Sequence, residues 1–82
     1  MTRDEITQRL AELVAEVSDG DIPAEQARDA GVPLSVLGLT SLSRMRLIDA
    51  VETEFDVELD LGERDWTMLD DLGALADHLE HR

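Results

Sequence analysis

The hydrophobic positions fall into three helical stripes. Over 4–18, Ile6, Leu10, Leu13, Val14 and Val17 recur at the spacing that puts them on one helical face, with Glu5, Arg9, Glu12 and Glu16 opposite. Thr2 followed by Glu5 fits a capping box, with Asp4 a competing N-cap. Ser18, Asp19, Gly20 and Asp21 end this helix, Gly20 being suited to the left-handed position. A second stripe, Leu47, Ile48, Val51 and Phe55, predicts a helix over 41–55, with Ser41 as its N-cap or as the first residue after Thr40 in that role. Arg44 lands near its apolar side, and from the first turn its long side chain is expected to reach water. A third stripe, Leu69, Leu72, Leu75, Ala76 and Leu79, predicts a helix over 68–81 opened by a capping box of Thr67 and Asp70. Gly73 weakens that helix by about 1 kcal/mol relative to alanine.

Two stretches break the pattern. The connection over 19–39 contains Pro23 and Pro33, and 23–28 suits one short helical turn with proline at its first position. Ile22, Val32, Leu34, Val36 and Leu37 supply apolar side chains, so the connection is expected to be ordered and pinned to the core. Val57, Leu59 and Leu61 alternate with acidic residues, the period of a strand. No second segment offers a partner, and a lone strand is unstable, so an extended link is expected there, followed by a short helical turn around 62–66. The result is an all-α chain without repeats.

Length agrees with this. Eighty-two residues make a single domain, 1–82, with a small core and no room for a deep catalytic cleft. Charge narrows the choice of partner. Twenty acidic residues face seven basic ones, all arginine, for a net charge of −13. Such a chain repels nucleic acid and anionic membrane surfaces and attracts partners with basic patches. Half of the acid, ten residues against the single base Arg64, lies between Asp49 and Asp71, while Arg44 and Arg46 form a small positive spot just before it. There is no cysteine for a disulfide or thiolate site. Neither a membrane span nor a signal peptide's apolar stretch is evident, so the expected compartment is the cytoplasm.

Catalytic and metal readings find little support. Asp19, Gly20 and Asp21 hint at a calcium loop, but the frame puts Pro23 at a ligand position and lacks the central glycine and terminal glutamate. His78 and His81 lie one turn apart near a helix C-terminus, which suits surface histidines better than a metal. A serine-hydrolase elbow needs a glycine two residues after the nucleophile, where Ser43 stands after Ser41. No metal site and no enzyme activity are expected. What remains is Leu37-Gly38-Leu39-Thr40-Ser41-Leu42 at the entry to the second helix. Gly38 permits a sharp turn, Leu39 can anchor it, and Ser41 is left at a helix N-terminus, which favours anions. A serine there serves either as a cap or as the bearer of a phosphodiester.

Gly38-Leu39-Thr40-Ser41-Leu42, with Leu47, Val51, Glu52 and Phe55 at their spacings, resembles the acyl and peptidyl carrier proteins over nearly the whole chain. The family motif is Gly-x-Asp-Ser-Leu or a variant of it, and its serine bears 4′-phosphopantetheine. The resemblance implies a four-helix bundle with a short third helix. It also implies a covalent 4′-phosphopantetheine on Ser41, and an attachment motif of Gly38, Leu39, Thr40 and Leu42 around it. Thr40 stands where the family usually has aspartate, which points away from ordinary fatty-acid synthesis. The segment Glu63-Arg64-Asp65-Trp66-Thr67 resembles discrete D-alanyl and other aminoacyl carriers.

The function expected on this basis is a discrete, monomeric acyl or aminoacyl carrier holding thioester intermediates, in polyketide, nonribosomal peptide or related specialised metabolism. Its implied partners are a phosphopantetheinyl transferase, a loading ligase or acyltransferase, and downstream synthase or transferase enzymes. Leu42, Met45, Arg46 and Asp49 share the outer face of the second helix beside Ser41 and are the expected contacts for those partners. The alternative is a non-covalent acidic helical interaction module in which Ser41 is only a cap.

Overall fold

In the computed structural model, which describes residues 2–28, 33–59 and 70–81, every regular element among the described residues is helical. Helix α1, Arg3–Val17, opens on the capping box read from the sequence: the Glu5 amide donates to Thr2 Oγ1 at 3.2 Å, and the Thr2 amide to Glu5 Oε1 at 3.0 Å. Its buried face is the first stripe plus Ala11. The helix closes in a Schellman motif, with the Gly20 amide on the Ala15 carbonyl and the Asp19 amide on that of Glu16. Asp19, at φ 55°, takes the left-handed position just after the cap, and Gly20 follows it at φ 85°.

The short helix α2, Ala24–Arg28, follows Pro23 and leans on α1 through Ala27 and through hydrogen bonds from Arg28 to Gln8 and Asp4. Ile22 and Leu34 are fully buried and pin the connection, as expected. Val36 does not: it is 71% exposed, because it sits on the outer side of a tight turn whose buried members are Leu34 and Leu39. Val32 lies outside the described residues.

Helix α3, Ser41–Phe55, buries Leu47, Ile48, Val51 and Phe55, the second stripe without addition. It ends at Asp56 in the left-handed conformation. The following residues, 57–59, pair with no strand among the described residues, and their course is held by Glu52, whose carboxylate accepts the Leu59 amide at 2.9 Å while Leu59 enters the core. The expected helical turn around 62–66, together with Leu61, lies outside the described residues.

Helix α4, Leu72–Glu80, starts later than the periodicity suggests. Asp71 is its N-cap, accepting the Ala74 amide at 3.2 Å, so Asp70 stands ahead of the helix and is not the third residue of a capping box. Asp70 is bound elsewhere, as described below. Thr67, Met68 and Leu69 lie outside the described residues. Leu72, Leu75, Ala76 and Leu79 face inward. Helix α1 is the centre of the packing and touches α2, α3 and α4. Ion pairs from Arg9 to Glu54 and from Arg3 to Asp77 lie over two of these contacts, at 31–62% side-chain exposure, where such pairs contribute little stability. The fold of the described residues is all-α.

Candidate functional site

The approach to α3 is a single turn of helical character. Within 33–39, the Leu37 amide bonds the Pro33 and Leu34 carbonyls, the Gly38 amide bonds Ser35 and the Leu39 amide bonds Leu34 at 3.0 Å. The last two bonds form a second Schellman motif, with Gly38 in the left-handed place at φ 107° and the buried pair Leu34 and Leu39 making its hydrophobic contact. A β-carbon at Gly38 would meet nothing within 4 Å, so backbone conformation alone calls for glycine here. Leu39 is 5% exposed and anchors the turn, and the chain then enters α3.

Thr40 is the N-cap. Its Oγ1 accepts the Ser43 amide at 3.1 Å and lies 3.1 Å from Ser43 Oγ, to which it donates. Ser41 is therefore the first residue of the helix and not its cap. Its side chain is exposed and makes no hydrogen bond among the described residues. The other three serines differ. Ser18 is buried, donating to the Ala15 carbonyl and accepting the Ile22 amide. Ser35 donates to Asp70 Oδ2 at 2.8 Å, and Ser43 is turned back to Thr40. Only Ser41 presents a hydroxyl that no neighbour holds among the described residues. The Ser41 and Leu42 amides, the two first-turn donors that Thr40 does not take, lie at the positive end of the helix.

Leu42, Met45, Arg46 and Asp49 follow on α3 at the spacing of one outer face, and all four are exposed. Leu42 at 64% and Met45 at 59% join Val36 as large exposed hydrophobics, all within five residues of Ser41. The positive spot is smaller than its sequence suggests. Arg46 keeps a loose, exposed pair with Asp19 at 3.8 Å. Arg44 turns mostly inward rather than out to water. Its side chain is 14% exposed and pairs with Asp70 Oδ1 at 3.2 Å, which resolves its awkward place beside the apolar stripe. Sequence reasoning missed Asp70; its only trace was an arginine on a face where burial demands a carboxylate. At the far end of α4, His81 rather than His78 gathers with Asp77 and Glu80, all exposed, and its Nδ1 sits 2.9 Å from the Asp77 carbonyl.

These residues fit a phosphate ester on Ser41: an unheld hydroxyl, two first-turn amides, and no carboxylate in the first turn of α3 to repel an anion. No helix among the described residues is long and apolar enough to cross a membrane. No curated protein and no solved structure matches the chain. The family model for the phosphopantetheine attachment site matches residues 8–79, a span that takes in α2, α3, the turn between them, α1 from Gln8 onward and all of α4 but Glu80. Domains of that family are carriers that bear 4′-phosphopantetheine covalently on a serine. The chain belongs to the phosphopantetheine attachment-site family.

Proposed function

We propose that Ser41 is the attachment serine and that the protein is a discrete acyl or aminoacyl carrier. The observation that carries this reading is the state of the four serines: Ser41 alone combines exposure, a helix N-terminus and a hydroxyl without a partner among the described residues. Gly38, Leu39, Thr40 and Leu42 frame it. Gly38 makes the turn, Leu39 fixes it to the core, and Thr40 relieves Ser41 of capping. When bound, 4′-phosphopantetheine supplies a thiol that holds an acyl group as a thioester, and a tether of this kind raises effective concentration to about millimolar.

Leu42, Met45, Arg46 and Asp49 are the proposed partner face. Leu42 and Met45 offer apolar area that the core leaves unused, and Arg46 and Asp49 supply charge beside it. The partners in this proposal are a phosphopantetheinyl transferase, a loading ligase or acyltransferase, and downstream synthase or transferase enzymes. The setting is polyketide, nonribosomal peptide or related specialised metabolism, with a monomer in the cytoplasm. Thr40 in the position before the serine and the Glu63-Arg64-Asp65-Trp66-Thr67 segment support that choice over fatty-acid synthesis.

The test is to treat the purified chain with a broad-specificity transferase and coenzyme A and to read the intact mass. The wild type and Ser43→Ala gain one phosphopantetheine, and Ser41→Ala gains none. Labelling of Ser41→Ala, or no labelling of the wild type with several transferases, sinks the carrier reading in favour of an acidic docking module.

A further inference from the structure

One carboxylate brackets Ser41 in the chain without lying next to it in sequence. Asp70 Oδ1 accepts the Ser35 amide at 2.7 Å and Asp70 Oδ2 accepts the Ser35 hydroxyl at 2.8 Å. Oδ1 also receives Arg44 at 3.2 Å, and the Asp70 carbonyl accepts the Leu34 amide at 2.9 Å. Ser35 stands in the Gly38 turn that leads into α3, and Arg44 lies three residues beyond Ser41 in its first turn. The bonds to the carboxylate are charge-assisted, and both Arg44 and Asp70 are largely shielded, at 14% and 24% exposure. Asp70 also directly precedes Asp71, the cap of α4, so the clamp joins the turn, α3 and α4 at one point.

We propose that Asp70 is a positioning residue for the modification of Ser41: its carboxylate holds the 33–39 turn and the first turn of α3 in the one arrangement that a transferase reads. The proposal rests on Ser41 as the attachment site. Without the clamp the helices persist, because none of their core residues is involved, but the turn and the helix entry lose their common fixing point. The chain then occupies the readable arrangement only part of the time, and its apparent affinity falls by that fraction. The loss appears in KM for the chain, and kcat is retained.

The experiment uses the full chain, a broad-specificity phosphopantetheinyl transferase and coenzyme A, with the chain's concentration varied. Asp70→Ala raises KM about tenfold with kcat within about twofold, and amide exchange at Ser35 accelerates while exchange at Leu10 does not. Asp70→Asn keeps an oxygen for the Ser35 amide but not the charge for Arg44, and it falls between the two. A core variant away from the site, Val14→Ala, controls for lost stability and leaves KM unchanged. An unchanged KM in Asp70→Ala, or an equal rise in Val14→Ala, overturns the proposal and leaves the carrier reading intact. A wild type that is never modified sinks both. Should Asp70→Ala fail to fold, Asp70→Asn decides, with KM at the wild-type value as the contrary result.

Discussion

At the scale of single residues, Thr40 and Ser41 divide two tasks that one side chain cannot perform together. A capping hydroxyl accepts a backbone amide and is held against the helix, whereas a modifiable hydroxyl has to be free. Thr40 Oγ1 holds the Ser43 amide at 3.1 Å, and the Ser41 hydroxyl has no partner among the described residues. The two alanine variants therefore separate. Thr40→Ala removes the cap and should lower stability by about 1 kcal/mol. Ser41→Ala should change it by less than about 0.5 kcal/mol, as at ordinary surface positions. Urea denaturation of both variants checks this; a larger loss for Ser41→Ala would mean that Ser41 carries the cap in solution. The turn and helix entry around Ser41 were legible in the sequence because a glycine turn, a buried anchor and a hydroxylated helix start are all local. The choice between Thr40 and Ser41 as cap was not, since both residue types suit the role and one residue of register decides between them.

At the scale of elements, legibility follows the range of the interactions. The first two stripes and the third from Leu72 onward were readable, since helical burial repeats every three or four residues, and the Thr2 and Glu5 capping box lies within one turn. The start of α4 was not readable. Thr67 and Asp70 match a capping-box pattern, but Asp70 is drawn to Ser35 and Arg44, 35 and 26 residues away in sequence, and Asp71 becomes the cap. Two element-level outcomes follow. The bond from the Thr2 amide, with a lesser contribution from the Thr2 hydroxyl, holds the Glu5 carboxyl below its ordinary value of 4.5. A depressed carboxylate stabilises the fold fully above its unfolded pKa and loses that effect as pH falls through the folded one. Thermal melts should show Glu5→Gln less stable than wild type at pH 7, with the gap closing below pH 4.5. A gap of constant size into acid would remove charge from the explanation. In α4, a β-carbon at Gly73 would meet Asp71 Oδ1 at 3.4 Å and Arg3 Nη2 at 3.5 Å, ordinary contacts. Gly73→Ala should then raise stability by about 0.5–1 kcal/mol, read from the denaturation midpoint; a loss would place the Arg3 contact under more strain than these distances indicate.

At the scale of the whole molecule, the sign of the charge outweighs its details. The five arginines among the described residues each pair with a carboxylate: Arg3 with Asp77, Arg9 with Glu12 and Glu54, Arg28 with Asp4, Arg44 with Asp70 and Arg46 with Asp19. The positive charge of the described arginines is thus matched by neighbouring carboxylates, and the net charge of −13 leaves an acidic excess to act outward. On the proposed α3 face this excess meets apolar side chains, with Asp49 beside Met45 and Leu42. The two components act on different rates. Long-range charge steers encounter and governs association, whereas desolvated apolar contact governs dissociation. Raising ionic strength from about 0.01 M to 0.1 M shortens the screening length from about 30 Å to 10 Å, so association of a basic-faced transferase should slow steeply over that range while dissociation stays nearly constant. Asp49→Arg should lower the association rate and flatten its dependence on salt. Met45→Ala should speed dissociation and leave the salt dependence as in the wild type. Both variants should remain folded, because neither residue belongs to the core. Stopped-flow measurement across a salt series separates the two effects, and an association rate indifferent to salt, with both variants at wild-type rates, would exclude this face of α3 from the encounter.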